Sequence, residues 1–112
     1  MQELVITDVV EGDGKTAVKG ALITTHYQGY LSDGTKFDSS YDKNKPFQCV
    51  IGTGRVIKGW DQGILGMKVG GNRKLEVPAH LAYGERAMGN VIPANSDLVF
   101  EIELLEVLTR DD

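Results

Sequence analysis

Side chains that commonly carry out chemistry in proteins are sparse in this chain. The two histidines, His26 and His80, lie far apart, and no neighbouring cysteines or carboxylates have the spacing of a zinc site. His26 lacks a partner for nucleophilic catalysis, which favours a structural role over that of a base. Cys49 precedes Val50 and Ile51, a context that favours a small buried hydrophobic residue over a reactive thiol. We therefore predict neither a metal nor a cofactor.

Two glycine-containing segments imitate nucleotide-binding motifs. Gly14-Lys15-Thr16 resembles the end of a phosphate-binding loop, but Val9 stands where that motif requires its first glycine. Gly52-Thr53-Gly54 lacks the third glycine of the dinucleotide-binding pattern. Both segments are therefore interpreted as turns.

The aromatic residues form the more informative set. Most of them lie near predicted turns and the predicted helix, at Tyr27, Phe37, Phe47, Trp60, Tyr83 and Phe100. Composition alone favours their use as core filling, because aromatic side chains are usually well buried. A shared binding site is the alternative, and position along the chain leaves both interpretations open.

Length and charge restrict the class of protein. The 112 residues predict one domain, spanning 1–112, and the single cysteine excludes an intrachain disulfide. A net charge of −4 argues against nucleic acid or an anionic membrane as partner. No run approaches the ~18 apolar residues of a membrane span, and Met1–Leu4 does not begin a signal peptide. We expect a cytoplasmic protein, and a monomer because no heptad pattern is present.

Short apolar runs separated by glycine-containing turns predict a β-rich fold. The candidate strands are Leu4–Val10, Ala21–Leu31, Thr35–Asp38, Pro46–Ile51, Asn72–Val77 and Leu98–Leu105. The last of these alternates apolar and polar residues over most of its length, as a half-buried strand does. The sum is an α+β fold with an antiparallel sheet of about five strands packed on one short helix.

Val56–Met67 is the helix candidate. Val56, Trp60 and Ile64 recur at helical spacing, and Ile57 joins the same stripe. Three glycines weaken the helix and should allow it to approach the sheet closely, namely Gly59, Gly63 and Gly66.

Seven short strings, in this order, resemble those of the FKBP-type (immunophilin) peptidyl-prolyl cis-trans isomerases. They are His26–Leu31 (H-Y-x-G-x-L), Phe37–Ser40 (F-D-S-S), Lys45–Phe47, Val56–Trp60 (V-I-x-G-W), Ala82–Gly84, Val91–Pro93 and Leu98–Leu105. The resemblance extends from about Val5 to Val107. It implies a half-open antiparallel sheet wrapped around one short helix, with a shallow apolar pocket between them.

The resemblance also implies roles for individual residues. Trp60 would be the floor beneath a bound proline ring, and the Ile57 N–H would hold a substrate carbonyl. Asp38 would orient Tyr27 or meet the rotating carbonyl carbon, although pairing with Lys43 is an equal alternative. The implied catalytic residues are Asp38, Tyr83, Ile57, Trp60 and Phe100, and the implied substrate-binding residues are Tyr27, Phe37, Phe47, Val56, Met88 and Ile92. Two departures from the family pattern are Met88, where many members have histidine, and Cys49, where an aromatic residue is common.

The function implied is acceleration of rotation about X-Pro bonds, without metal, cofactor or covalent intermediate. Proline-containing peptides and folding or unfolded proteins would be the substrates, and macrolides such as rapamycin would occupy the pocket. A proline-recognising binding module or chaperone is the alternative. A purely structural β domain would leave the seven strings unexplained.

Overall fold

A computed structural model describes residues 2–110. The elements are β1 (Val5–Val10), β2 (Leu22–Leu31), β3 (Lys36–Ser39), β4 (Phe47–Val50), helix α1 (Lys58–Gly63), β5 (Asn72–Val77), a 3-10 turn (Ala79–Leu81) and β6 (Leu98–Leu108). The strands form one antiparallel sheet in the order β1-β5-β6-β2-β3, and β4 also pairs with β2. The predicted α+β class, an antiparallel sheet with one short helix, is confirmed.

The sheet contains six strands where the sequence predicts about five. β3 pairs with Gln28–Tyr30 of β2, whereas β4 pairs with Leu22–Thr25 of the same strand. The two short strands therefore share one edge of β2, and the sheet is five strands wide.

β6 supplies the centre of the core. Its alternating residues Leu98, Phe100, Ile102 and Leu104 are buried against the inner side of the sheet. The alternation ends there, because a register shift between Thr24 and Thr25 of β2 lies opposite the stretch after Leu104. The bulge places Val107, rather than residue 106, as the next buried side chain.

Helix α1 is shorter than predicted. The periodicity indicates Val56–Met67, but the helix spans only Lys58–Gly63. Ile57 precedes it with φ −57° and ψ 150°, an extended conformation. Beyond its end Gly66 adopts φ +88°, the left-handed region in which glycine is favoured and in which a helix cannot continue.

The helix lies unusually close to β5. A Cβ atom on Gly59 would lie 2.4 Å from Cγ1 of Val77, and one on Gly63 would lie 2.7 Å from Cδ1 of Leu75. Only glycine fits at either position, which confirms the expected close approach at Gly59 and Gly63; at Gly66 the expectation is wrong, because a Cβ there would meet nothing within 4 Å. The contact brings Trp60, on the same helix turn, into the core.

Arg73 joins three elements through a buried charge that is only 9% exposed. Its Nε donates to Oδ1 of Asp8 on β1 at 2.6 Å, and its Nη1 donates to the carbonyls of Gly63 and Leu65 at 2.9 and 3.0 Å. The guanidinium therefore satisfies carbonyls at the end of α1 while its charge is paired, as a buried cation requires.

The helix–sheet contact predicts the effect of Gly59→Ala. Intrinsic helix propensity favours alanine by about 1 kcal/mol, but the new methyl group would overlap Val77. We expect a net loss of about 1–3 kcal/mol in the free energy of unfolding, measured by urea denaturation. Val77→Ala in the same chain removes the overlap, so the double variant should lose less than the sum of the singles. A stabilising Gly59→Ala would contradict the contact.

Candidate functional site

A cavity of about 210 Å³ opens between the start of α1 and the inner side of the sheet. We call it the aromatic cavity; it is lined by Tyr27, Phe37, Asp38, Phe47, Arg55, Val56, Ile57, Trp60, Tyr83 and Phe100. The sequence predicts every one of these residues except Arg55. The fold thus assembles side chains from β2, β3, β4, β6, α1 and two loops at one place.

Two other depressions differ in the chemistry of their walls. A groove of about 250 Å³ on the outer side of the sheet is larger, but its walls include Lys74, Glu101 and Glu103. A smaller one of about 150 Å³ lies beside the Asp8–Arg73 ion pair. Neither combines apolar walls with a few polar groups, the usual composition of a small-ligand site. The aromatic cavity is therefore the candidate site, despite its intermediate size.

Trp60 forms the floor of the aromatic cavity and is held by three perpendicular rings. The centroids of Tyr27, Phe100 and Phe47 lie 5.1, 5.5 and 5.8 Å from that of Trp60, with interplanar angles of 86°, 88° and 83°. Edge-to-face packing of this kind is favourable beyond simple burial. Trp60 and Phe100 are each only 4% exposed, so the floor is well buried and mostly apolar; within residues 2–110 the buried Nε1 of Trp60 has no hydrogen-bond partner.

Gly29 on β2 makes room for the wall of the cavity. A Cβ atom there would lie 2.6 Å from Cζ of Phe37 and 3.1 Å from Cε1 of Phe100. Those two rings pack edge to face with centroids 5.7 Å apart. Gly29, the glycine of the H-Y-x-G-x-L string, is therefore required for steric reasons, because any side chain there would displace the rings of Phe37 and Phe100.

Asp38 makes both of the contacts considered for it from sequence. Its Oδ2 accepts a hydrogen bond from the Tyr27 hydroxyl at 2.5 Å, and its Oδ1 lies 2.8 Å from Nζ of Lys43. Burial raises the pKa of Asp38, but the bonds from Lys43, Tyr27 and the Ser39 N–H outweigh it, and the net pKa is lowered. Burial and the Asp38 carboxylate raise the pKa of Tyr27. The pair is thus a carboxylate and a protonated phenol at neutral pH.

Two hydrogen-bond donors of the aromatic cavity are free to meet a ligand. Within residues 2–110, neither the Tyr83 hydroxyl nor the Ile57 N–H donates to another residue. The Ile57 carbonyl, by contrast, accepts from the N–H groups of Trp60 and Asp61 at 3.0 and 3.2 Å. Burial, followed by the charge of Asp38, raises the pKa of Tyr83. Its hydroxyl therefore remains a donor at neutral pH.

Asp61 positions one wall and is not found by the sequence analysis. Its Oδ1 accepts the N–H of Gly52 at 2.7 Å, and its Oδ2 accepts the N–H of Gly54 at 2.8 Å. The carboxylate thereby holds the loop that leads into Val56 and Ile57. The only signal in the sequence was an acidic residue in the first turn of the helix, after a glycine-containing turn. Its partners are backbone N–H groups, which every residue type except proline has, so no side-chain pattern reveals the contact.

Met88 and Ile92 are not part of the cavity lining. Met88 is 41% exposed, Ile92 is 6% exposed within the core, and the Met88 N–H donates to the Ile92 carbonyl at 2.8 Å. The loop that carries them follows Tyr83, so a larger ligand would have to extend beyond the cavity to reach Met88. Their contact with substrate stays a prediction.

His26 and Cys49 have surroundings of a structural kind. Nδ1 of His26 lies 2.8 Å from Oγ of Ser40, and its ring stacks on that of Tyr41 at 4.4 Å. The same Ser40 Oγ accepts the Tyr27 N–H at 2.7 Å, so this cluster supports the backbone of a cavity residue. Burial, aided by a nearby carboxylate, raises the pKa of the Cys49 thiol to about 11, which disfavours the reactive thiolate.

The described part of the chain contains no group of three or more His, Cys, Asp or Glu side chains able to hold a metal ion. Among residues 2–110 no helix has the length and apolar character needed to cross a membrane. The lining of the aromatic cavity combines an apolar surface with a few hydrogen-bonding groups.

Known proteins similar to this chain agree with that description. The sequence model of the FKBP-type peptidyl-prolyl cis-trans isomerases matches residues 13–105. An FK506-binding protein of Neisseria meningitidis serogroup A is 55% identical over 107 residues, which cover 96% of this chain and 98% of the relative. FK506-binding protein 1 of Debaryomyces hansenii is 56% identical over 98 residues, covering 87% and 88% of the two chains.

Solved structures are similar over the whole fold. The crystal structure of AtFKBP13 has a TM-score of 0.88 and 46% identity, covering 94% of this chain and 93% of that one. The crystal structure of FkpA from Escherichia coli has a TM-score of 0.84 and 40% identity, and covers 93% of this chain but 47% of FkpA. With a family match over most of its length and an aromatic cavity of the implied composition, the chain belongs to the FKBP-type peptidyl-prolyl cis-trans isomerases and is an enzyme of that class.

Proposed function

We propose that the aromatic cavity is where isomerisation takes place, with the substrate proline ring seated on Trp60. The substrates are X-Pro segments of folding or unfolded proteins, and the reaction requires neither metal, cofactor nor covalent intermediate. The observation that carries the proposal is the combination of an apolar floor held by three rings with two unused donors at its edge.

An apolar floor favours the twisted amide over the planar one. The peptide C–N bond resists rotation by about 18–20 kcal/mol because of its partial double-bond character. Rotation removes that resonance together with its charge separation. Excluding water therefore costs the twisted amide less hydration free energy than it costs the planar amide. A site that desolvates the bond therefore binds the transition state better than the substrate. Each tenfold acceleration requires about 1.4 kcal/mol of this preference.

The two donors hold one part of the substrate while the other turns. A carbonyl bound by the Ile57 N–H or the Tyr83 hydroxyl fixes one side of the X-Pro bond. The proline ring is held by its contact with Trp60. As the proline nitrogen becomes pyramidal, it gains lone-pair character that the following N–H of the substrate can stabilise.

Asp38 contributes through its charge and through Tyr27. The short bond between the Asp38 carboxylate and the Tyr27 hydroxyl orients a ring that touches Trp60. The carboxylate also lines the aromatic cavity, where it can meet the rotating carbonyl carbon. The lowered pKa of Asp38 and the raised pKa values of Tyr27 and Tyr83 keep all three in one protonation state near neutral pH. No proton transfer is needed for rotation about the bond.

We further propose that FK506 and rapamycin occupy the aromatic cavity. The support is that relatives 54–56% identical to this chain are FK506-binding proteins, together with the apolar floor. Residues 1–112 act as one domain and as a monomer in the cytoplasm in this proposal. Cys49, whose thiol is held protonated by burial, does not call for an oxidising compartment.

The function is tested with a protease-free isomerisation assay on a short X-Pro peptide, with and without rapamycin or FK506. We expect acceleration over the uncatalysed rate, and we expect the drugs to abolish it because they occupy the same cavity. Acceleration that saturating drug leaves intact would place the reaction elsewhere. Drug binding without acceleration would limit the cavity to recognition.

Trp60→Leu should weaken FK506 binding at least tenfold, because it removes the indole surface of the floor, and about 1.4 kcal/mol suffices for each tenfold. Calorimetry measures the affinity. The matched control is Ile64→Ala, a buried residue outside the cavity lining, which should cost about 2–5 kcal/mol in stability while leaving the affinity unchanged. Equal losses of affinity in both variants would mean that the affinity falls because the fold is destabilised, and not because the indole surface is lost.

Tyr83→Phe should lower kcat/KM about three- to tenfold, the value of one hydrogen bond of about 0.5–1.5 kcal/mol. The melting temperature should change little, because the hydroxyl has no partner within residues 2–110. Tyr41→Phe removes a hydroxyl that donates to Glu103 outside the cavity, and its kcat/KM should match that of the unmodified chain. A Tyr83→Phe variant with full activity would remove this hydroxyl from the mechanism.

A further inference from the structure

The aromatic cavity has two charged residues in its lining, Asp38 and Arg55, and they differ in one respect. Asp38 is fully engaged, since its oxygens accept from Tyr27, Ser39 and Lys43. Arg55 is exposed and, within residues 2–110, its guanidinium forms no hydrogen bond or ion pair. Among residues 2–110, the one charge in the cavity lining without a protein partner is therefore positive.

The backbone of Arg55 is held on both sides. The preceding N–H, that of Gly54, is bound to Oδ2 of Asp61 at 2.8 Å, and the Ile57 carbonyl two residues later accepts from the first turn of α1. Both oxygens of Asp61 accept backbone N–H groups of the loop. This carboxylate is thus committed to positioning the loop, and Arg55 is presented beside Val56 and Ile57 in the cavity wall.

We infer that Arg55 is a specificity-determining residue that favours X-Pro segments with an acidic side chain within two residues of the proline. The inference rests on the proposed function of the aromatic cavity. A segment whose proline lies on Trp60 and whose carbonyl is held by the Ile57 N–H lies within reach of Arg55, two residues away along the wall. Guanidinium and carboxylate groups pair through two parallel hydrogen bonds, which makes arginine a selective partner for Asp and Glu.

The effect is local and moderate. Arg55 is exposed, and exposed ion pairs typically change an equilibrium by about two- to fivefold. The chain as a whole carries a net charge of −4, which repels acidic peptides at a distance. Salt screens that repulsion beyond about 8 Å at physiological ionic strength, whereas the contact with Arg55 lies within that length.

The test compares peptides that differ at one position. Glu, Gln or Lys is placed directly before the proline, or directly after it, in an otherwise neutral peptide, and kcat/KM is measured in the protease-free assay at pH 7.5. Gln matches Glu in shape and lacks its charge. We expect the Glu peptide to exceed the Gln peptide about two- to fivefold, and the Lys peptide to fall below Gln, at one or both positions.

Variants assign the preference to its residue. Arg55→Gln should bring the Glu-to-Gln ratio of kcat/KM to about one. Arg55→Glu should lower that ratio below one and make the Lys peptide better than the Gln peptide. Arg110→Glu makes the same change of net charge at an exposed site beyond the end of β6 and outside the cavity lining. It should leave the ratio as in the unmodified chain. In the unmodified chain, 1 M added salt should reduce the Glu-to-Gln ratio, because salt screens the ion pair.

Two outcomes overturn the inference. One is an unmodified chain that shows no preference for Glu over Gln at either position. The other is an Arg110→Glu variant that shifts the ratio as far as Arg55→Glu, because the effect would then be one of net charge. Acceleration of the neutral Gln peptide is the separate readout for the proposed function, so its absence would count against that function and its presence would isolate the role of Arg55.

Discussion

The site depends on the close contact between helix α1 and strand β5. Gly59 and Gly63 lie where any side chain would overlap Val77 and Leu75, so the helix backbone rests almost directly on the sheet. A helix held further away would leave Trp60 out of reach of the rings on β2, β4 and β6 that pack around it. The short length of the helix follows from the same glycines, because they lower helix propensity where they permit the contact.

Polar contacts at the margins secure this arrangement. Arg73 connects the end of α1 to β1 and β5, and Asp61 connects its first turn to the loop before it. Both side chains bind backbone groups, which have few other partners in a loop or at a helix end. As a result the floor and one wall of the cavity are held from two sides, while the Ile57 N–H and the Tyr83 hydroxyl donate to no other group among residues 2–110.

The proposed reaction needs no side chain that acts as an acid, a base or a nucleophile. In the proposed mechanism, rotation about the X-Pro bond moves no proton and forms no covalent bond with the protein, so an apolar surface with a few fixed donors suffices. Selectivity can then be placed at the rim without disturbing the floor. The exposed charge of Arg55 lies in such a place, beside Val56 and Ile57 in the cavity lining and outside the ring cluster that holds Trp60.

The sequence by itself determined the class of fold, the strands and most of the cavity residues. Strand β6 follows from local alternation, and strings such as H-Y-x-G-x-L and V-I-x-G-W carry the family resemblance. Tertiary structure decided how closely α1 approaches the sheet, since Gly59 and Gly63 lie against Val77 and Leu75. It also decided the roles of Asp61, Arg73 and Arg55, and left Met88 and Ile92 outside the cavity lining. The physical reason is twofold. Backbone N–H and carbonyl groups are present in almost every residue, so a side chain that binds them cannot be recognised from the sequence. Which distant residues come together depends on how the elements pack.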